Sequence, residues 1–204
     1  MTDCKAAPTP IVASTNVSSS VDILSDPTPY LSLVGALKYA TFTRPDITFV
    51  INHVFQFINQ PTSTHFFVAK RILCFLKGTI DKGIIFQLGP LTLTAFTDAD
   101  WVGDPFDSRS TSGIVVFLGN NPITWLSKKQ HIVSRSSTEA KYRSLATGAA
   151  ELAWLRQVIS DLGLYLPSAP VMWCDNTSAL ALASNPVFHS RTKHIEVDYH
   201  FVRE

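Results

Sequence analysis

The sequence predicts an α/β fold, in which a mixed β-sheet is flanked by helices and preceded by a small helical segment. The first observation is that the apolar spacing changes near Lys82 from a helical period to a period of two. The second is the order of segments after this change: three or four strand-like segments, a long helix, a further strand and a further helix. A meander pairs its strands antiparallel, whereas a crossover helix adds the next strand in parallel, so we expect a mixed sheet.

The first part of the chain divides into an arm and a helical segment. Residues 1–25 are rich in Ser, Thr, Pro and Ala, which is typical of an extended or disordered arm that packs poorly. Residues 26–81 carry apolar stripes at helical spacing. One stripe begins near Pro27, the next follows Thr43 as a cap, and the last ends at Gly78. We therefore expect a separate helical unit before the sheet.

Residues 82–204 are expected to form the α/β domain. The two asparagines Asn120 and Asn121 are a turn signal, so the strands on either side of them should pair antiparallel. Gly163 is expected to end the long helix. The sequence predicts strands over 82–87, 91–98, 110–119, 120–129 and 169–175, and helices over 137–162 and 176–184.

The composition narrows the classes of function. With 17 basic and 16 acidic residues, the chain lacks the charge of a module that binds nucleic acid through phosphate neutralisation alone. The three cysteines form no CxxC pair, so we expect no zinc site. Neither a secretory signal nor an apolar run of membrane-spanning length is visible, so we expect a protein that is neither secreted nor bound in a membrane.

Three carboxylates lie at positions that are typical of catalytic or metal-binding residues. Asp98 and Asp175 lie at the ends of two predicted strands, and Glu139 lies at the start of the long helix. Strand ends and the start of a packed helix can meet at one edge of a sheet. Carboxylates gathered there would repel one another unless a cation lay between them, and Mg²⁺ prefers such oxygen ligands.

Each of these carboxylates also has a structural interpretation. Asp98 could cap a turn, and Asp100 is an equally plausible ligand from spacing alone. Glu139 could favour the helix dipole, and Asp175, followed by Asn176, could be a helix N-cap. Spacing leaves these alternatives open.

Several long motifs, in order, resemble the copia-type LTR retrotransposon Pol polyproteins of plants. They cover about residues 26–204 and read YLSLVGALKYATFTRPDITFVIN, KRILCFLKGT, AFTDADWVGD, RSTSGIVVFLG, ITWLSKKQ, SRSSTEAKY, WCDNTSALALASNP and RTKHIEVDYHFVRE. The resemblance implies the last part of the reverse transcriptase, with its helical thumb and connection, followed by a ribonuclease H domain. The fold it implies for 82–204 is ribonuclease H-like.

The resemblance also implies an active site of four carboxylates with two Mg²⁺ ions, for which Mn²⁺ can substitute. Asp98 would be shared by both ions, Glu139 and Asp175 would hold one, and Asp198 the other. His194 matches a histidine that such enzymes use to help product release, although a histidine without a role fits it equally well. The implied residues are Asp98, Glu139, Asp175, Asp198 and His194.

The expected function is two-metal hydrolysis of the RNA strand of RNA–DNA hybrids, an endonuclease activity. The expected partners are the hybrid and the remainder of the Pol polyprotein, in the cytoplasm within a virus-like particle or in the nucleus. No paired aspartates of the YxDD kind are present, so DNA synthesis is not expected. Another carboxylate-dependent nuclease or a transposase fits the long motifs less well.

The alternative function is a catalytically inactive retroelement remnant, a folded fragment with at most weak nucleic-acid binding. Two departures from the family pattern favour it. Lys141 stands where the family's STEAEY pattern has an acidic residue, although we do not expect that position to be a ligand. Six residues follow Asp198, so we expect a domain truncated at its C-terminus.

Overall fold

The computed structural model describes residues 4–12, 22–104 and 106–184. The chain divides into two compact units, residues 1–84 and residues 85–204. Among the described helices, none is long and apolar enough to cross a membrane.

The first unit is helical, as its apolar stripes predict. A prolyl residue precedes or opens the first helix and the short 3-10 turn, where its missing N–H is not needed. Thr62 caps the third helix: its hydroxyl accepts from the backbone N–H of His65, and His65 Nδ1 accepts from the backbone N–H of Thr62 at 3.0 Å. The elements are α1 (Thr28–Ala40), the 3-10 turn (Pro45–Ile47), α2 (Thr48–Phe55) and α3 (Ser63–Gly78).

The three helices enclose one apolar core. Tyr30 is fully buried in it and donates a hydrogen bond from its hydroxyl to the carbonyl of Val54 at 2.6 Å. Burial raises the pKa of Tyr30 to about 12. The buried residues of this core are Tyr30, Val34, Leu37, Ile47, Val50, Ile51, Val54, Val68, Ala69, Ile72 and Phe75.

The described parts of the arm make a few contacts with this core, and none of their residues is fully buried. Ala7 and Leu24 pack against the core and are partly buried. The backbone N–H of Ala7 donates to the carbonyl of Cys74 at 3.2 Å, and that of Leu24 donates to the carbonyl of Pro61 at 3.0 Å. Small and apolar side chains within a Ser- and Pro-rich stretch are sufficient for this contact.

The second unit contains the predicted mixed sheet. Its described strands lie in the order β3-β2-β1-β4, with β4 parallel to β1 and the other neighbours antiparallel. The α/β class and the mixed sheet are therefore confirmed. The elements are β1 (Leu93–Ala99), β2 (Thr111–Leu118), β3 (Asn121–Lys129), α4 (Ser137–Asp161), β4 (Val171–Cys174) and α5 (Thr177–Ser184).

The predicted strand over residues 82–87 is wrong, because no strand forms there. Ile85 and Phe86 are exposed, so the apolar letters of this segment do not mark a buried strand. The side chain of Asn121 takes both backbone hydrogen bonds of Gln87, as acceptor and as donor, each at 2.7 Å. The Asn121 side chain therefore takes the backbone hydrogen bonds of Gln87 that a neighbouring strand would otherwise make.

Helix α4 covers one face of the sheet and forms the core of the second unit. Leu152, Leu155 and Ile159 of α4 pack against inward-facing residues of β1 and β2, such as Ala95 and Val116. The alternation along β1 agrees with this packing, because Leu93, Ala95, Thr97 and Ala99 are buried while Phe96 and Asp98 are exposed. This packing fixes which residues of α4 lie near the strand ends.

Candidate active site

The carboxyl ends of β1 and β4 bring two aspartates together. Thr97 of β1 pairs with Cys174 of β4 in the parallel register, so Asp98 and Asp175 are the next residues along two adjacent strands. Parallel strands end at the same edge of a sheet. The two aspartate side chains are 70% and 66% exposed, so they face solvent at this edge.

Lys141 of α4 joins these two aspartates. Its Nζ lies 2.9 Å from Oδ1 of Asp98, and 2.5 and 2.6 Å from Oδ1 and Oδ2 of Asp175. The Lys141 side chain is 17% exposed. An ammonium group has three donor protons, so these three oxygens can satisfy all of them. The helix is held in place because Ser144 Oγ donates to the carbonyl oxygen of Asp98 at 2.8 Å.

The charges at this edge stabilise one another. The hydrogen bond from Lys141 lowers the pKa of Asp98 although partial burial opposes the shift, and the backbone N–H of Ala99 lowers it further. Hydrogen bonds to Asp175 and then to Asp98 raise the pKa of Lys141. Asp98 and Lys141 are therefore held in their charged forms.

Glu139, the third expected carboxylate, is engaged elsewhere. It is buried, and its Oε1 accepts from Nη2 of Arg143 at 3.0 Å while its Oε2 accepts from the backbone N–H of Arg135 at 2.9 Å. Its own N–H donates to Ser136, the N-cap of α4. The contacts of Glu139 agree with the structural interpretation, in which the residue stabilises the start of a helix.

Among the described residues, Asp98, Glu139 and Asp175 form no group that is arranged to hold a metal ion. Their role as joint metal ligands stays a prediction. Residues 139 and 141 are separated by about 200° around an α-helix, because each residue turns the chain by about 100°. The helix face that carries Lys141 is the one that meets the strand ends. The sequence motif alone does not show which face of the helix meets the strand ends.

Local contacts show the structural roles of Asp100 and of Asn176, which follows Asp175. Asp100 belongs to the loop after β1: its carboxylate accepts from the backbone N–H of Thr111, and its own N–H donates to the carbonyl of Thr111. Asn176, rather than Asp175, caps α5, because its Oδ1 accepts from the N–H of Ala179 at 2.8 Å. Asp175 is thus left to pair with Lys141.

The described residues do not fit the two Mg²⁺ ions that the resemblance implies. Within residues 4–12, 22–104 and 106–184, no group of three His, Cys, Asp or Glu side chains is arranged to hold a metal ion. Two of the expected ligands share the ammonium of Lys141, and the third is paired with Arg143. Asp198 and His194, also expected at this site, lie outside the described residues.

Sequence reasoning missed the role of Lys141. The one signal was its departure from the acidic residue of the STEAEY pattern, at a position that we did not expect to be a ligand. This departure can be interpreted only when the face of α4 that meets the sheet is known. On the solvent face of α4 the same residue would be an ordinary surface lysine.

A concave basic surface lies where β3 leads into α4. It encloses about 270 Å³ and is lined by Ser112, Lys128, Lys129, Gln130, His131, Ile132, Arg143 and Thr147. Lys128 and His131 are exposed. Gln130 shapes this surface by donating to Ser112 Oγ at 3.0 Å and to the carbonyl of Ala140 at 2.9 Å. We refer to it as the β3–α4 basic surface.

Several relatives of the chain are retrovirus-related Pol polyproteins of plant transposons. The chain is 48% identical over its whole length to the retrovirus-related Pol polyprotein from transposon RE1, and 47% identical to that from transposon RE2, both of Arabidopsis thaliana. A third relative, the retrovirus-related Pol polyprotein from transposon TNT 1-94 of Nicotiana tabacum, is 38% identical over 86% of this chain. No family model and no solved structure matches the chain.

These relatives are much longer than the chain. It spans 14% of the length of the RE1 and RE2 polyproteins and 13% of the TNT 1-94 polyprotein. The aligned region nevertheless covers the whole of the chain in the first two comparisons. The chain therefore belongs to the retrovirus-related Pol polyproteins of copia-type transposons.

Proposed function

We propose that the second unit is a ribonuclease H-type domain of a transposon Pol polyprotein, and that this copy keeps weak binding of nucleic acid but does not hydrolyse RNA. In this proposal the ancestral reaction is hydrolysis of the RNA strand of an RNA–DNA hybrid. The observation that carries the proposal is the single ammonium of Lys141 bonded to both Asp98 and Asp175.

The sheet supports the assignment to this class of nuclease. Asp98 and Asp175 continue two adjacent parallel strands at one edge, with α4 packed behind them. They are the aspartates of the TDAD and WCDN motifs, which carry much of the resemblance. Membership in this family supports the same class, since the relatives are retrovirus-related Pol polyproteins of transposons.

The chemistry of the lysine supports the loss of hydrolysis. A carboxylate site of this kind relies on divalent cations, which activate a water molecule and stabilise the leaving oxygen. An ammonium group supplies one charge and three N–H donors, and it has no coordination position for water or phosphate. The described residues Asp98, Lys141 and Asp175 can therefore neutralise one another, but they cannot perform that step.

The β3–α4 basic surface supports residual binding of nucleic acid. Lys128 and His131 are exposed there beside the hydroxyl-bearing residues Ser112 and Thr147. Contacts of this type bind phosphates without reading sequence, and their affinity falls as salt is added. We expect a dissociation constant for RNA–DNA hybrid in the range of about 10⁻⁴–10⁻⁶ M, typical of non-specific binding.

A second candidate function is an active ribonuclease H, and the exposure of the two aspartates favours it. Side chains that are 70% and 66% exposed can be reached by cations and phosphates from solution, which then compete with Lys141. In this candidate the four carboxylates Asp98, Glu139, Asp175 and Asp198, with His194 and two Mg²⁺ ions, would act as the resemblance implies.

The experiment that separates the two candidates is cleavage of a labelled RNA–DNA hybrid by the full chain in Mg²⁺ or Mn²⁺, beside an Asp98→Asn variant. We expect no cleavage above that of Asp98→Asn, and hybrid binding that weakens with salt and with Lys128→Glu. Cleavage of the RNA strand by the wild type alone would support the active enzyme. A folded chain that fails to bind the hybrid even at low salt would contradict the proposed residual binding.

A further inference from the structure

The ammonium of Lys141 occupies the place between two strand-end carboxylates where a bound cation would be expected. It contacts three carboxylate oxygens at 2.5–2.9 Å, and its side chain is largely covered. No other lysine or arginine in the described part of the chain forms an ion pair with Asp98 or Asp175. Among the described residues, Lys141 thus supplies the positive charge that offsets the repulsion between these aspartates.

We propose that Lys141 is a built-in counter-ion that takes the place of a divalent cation, and that this one residue prevents metal binding at the strand ends. Position 141, rather than position 139, is then where a third carboxylate would face Asp98 and Asp175. The inference rests on the proposed function in treating this edge of the sheet as the former hydrolytic site.

The contacts of Glu139 support the choice of position 141. Glu139 is buried against Arg143 and Arg135, so bringing its carboxylate to the strand ends would break both contacts and rotate the start of α4. A glutamate at position 141 would need no such change, because the Lys141 side chain already reaches both aspartates from that backbone position. Glutamate is shorter than lysine, which leaves room for an ion between the carboxylates.

A tethered cation has an advantage over a free one. Lys141 is brought to the aspartates by the packing of α4, so it loses little freedom on binding, whereas a metal ion must be taken from solution. Replacing the lysine by glutamate changes the charge at this position from +1 to −1. The change removes the competitor and adds an oxygen ligand, so both effects favour a hard divalent cation.

The test is Mn²⁺ binding by the full chain, measured by the loss of the free Mn²⁺ signal in electron paramagnetic resonance, for the wild type and for Lys141→Glu. We expect Lys141→Glu to bind Mn²⁺ at least about tenfold more tightly than the wild type, from the change in local charge. Its thermal midpoint should fall without metal and rise when Mn²⁺ is added, because the ion binds the folded state.

Two variants serve as controls. Arg156→Glu makes the same charge change on an exposed residue of the same helix and should leave Mn²⁺ binding at the level of the wild type. Glu139→Gln, added to Lys141→Glu, should keep the new Mn²⁺ affinity, since Glu139 is engaged with arginine. Loss of Mn²⁺ binding in that double variant would show that position 139 holds the ligand and would overturn the inference.

Lys141→Gln covers the case in which Lys141→Glu does not fold. It removes the cation without adding a charge, so we expect Mn²⁺ affinity above that of the wild type. A folded Lys141→Glu or Lys141→Gln that binds no more Mn²⁺ than the wild type would refute the inference. The proposed function is tested by different measurements, because hybrid cleavage by the wild type or absence of hybrid binding would contradict it.

Discussion

Asp104 illustrates at the residue scale how the loop after β1 is held. Its side chain is 10% exposed, and its Oδ2 lies 2.5 Å from Nζ of Lys129, which also pairs with Asp107 at 2.8 Å. Its Oδ1 accepts from the backbone N–H of Phe106 at 2.8 Å. Burial raises the pKa of Asp104, but the bonds from Lys129 and Phe106 outweigh burial, so the pKa lies below its ordinary value of 3.8.

This ion pair predicts a loss of stability in acid. Because the folded-state pKa of Asp104 is depressed, its contribution is present above pH 3.8 and is lost as the pH falls through the lower folded-state pKa. We expect Asp104→Asn to lower the free energy of unfolding by about 1–3 kcal/mol at neutral pH. The difference from the wild type should shrink toward zero in strong acid. Urea unfolding across this pH range measures it.

Asp107→Asn is the matched control for this prediction. Asp107 pairs with the same lysine, but its side chain is 37% exposed and solvent screens the pair. We expect a smaller loss at neutral pH than for Asp104→Asn. An equal or larger loss would contradict the expectation that the more buried pair with Asp104 contributes more to stability.

The residues of the candidate site could be predicted from sequence only in part. Asp98 and Asp175 were identifiable because a parallel strand ends where its neighbour ends, so two strand-end residues must meet. The position of Glu139 could not be decided in the same way, because a helix presents a different side chain every 100°. The phase of α4 is fixed by its core contacts, such as Leu152 against the sheet, and it directs Lys141 to the strand ends.

At the scale of elements, the close approach of α4 to the sheet depends on Gly148. A Cβ atom at this position would lie 2.7 Å from Cγ2 of Thr97 and 2.9 Å from Sδ of Met172. Overpacking costs about 1–3 kcal/mol and the better helix propensity of alanine returns about 1 kcal/mol, so we expect Gly148→Ala to destabilise the second unit by up to about 2 kcal/mol. Thermal unfolding of the purified variant measures the change.

Gly35 provides the opposite case in α1. It also lies inside a helix, but a Cβ atom there would meet nothing within 4 Å. Gly35→Ala should therefore stabilise the first unit by about 0.5–1 kcal/mol, the ordinary advantage of alanine in a helix. If both alanine variants were stabilising, the sheet would have moved away from α4 to accommodate the methyl group.

The helices and strands could be predicted where the apolar pattern had one interpretation. The stripe of α2 and the alternation of β1 are examples, because both patterns correspond to faces that are buried in the structure. The segment over 82–87 has strand-like letters but no strand, since Ile85 and Phe86 are exposed and Gln87 bonds to the side chain of Asn121. Pairing depends on a partner strand, which a local pattern does not specify.

At the scale of the whole molecule, the chain contains separate apolar cores. The core around Ile72 draws its residues from the first unit, and the core around Leu93 draws its residues from the second. Each unit therefore has its own source of stability, because burial of apolar surface is the main favourable contribution to folding.

The separate cores predict that core substitutions act on one unit at a time. Ile72 is fully buried and Leu93 is 2% exposed, so truncation of either to alanine should cost about 2–5 kcal/mol. We expect Ile72→Ala to speed amide hydrogen exchange in residues 22–84 and Leu93→Ala to speed it in the described residues from 85 to 184. Mass spectrometry of peptides from the exchanged chain resolves the two regions. Faster exchange throughout the chain in both variants would mean that the units unfold together, because a unit whose core is intact keeps its own protection.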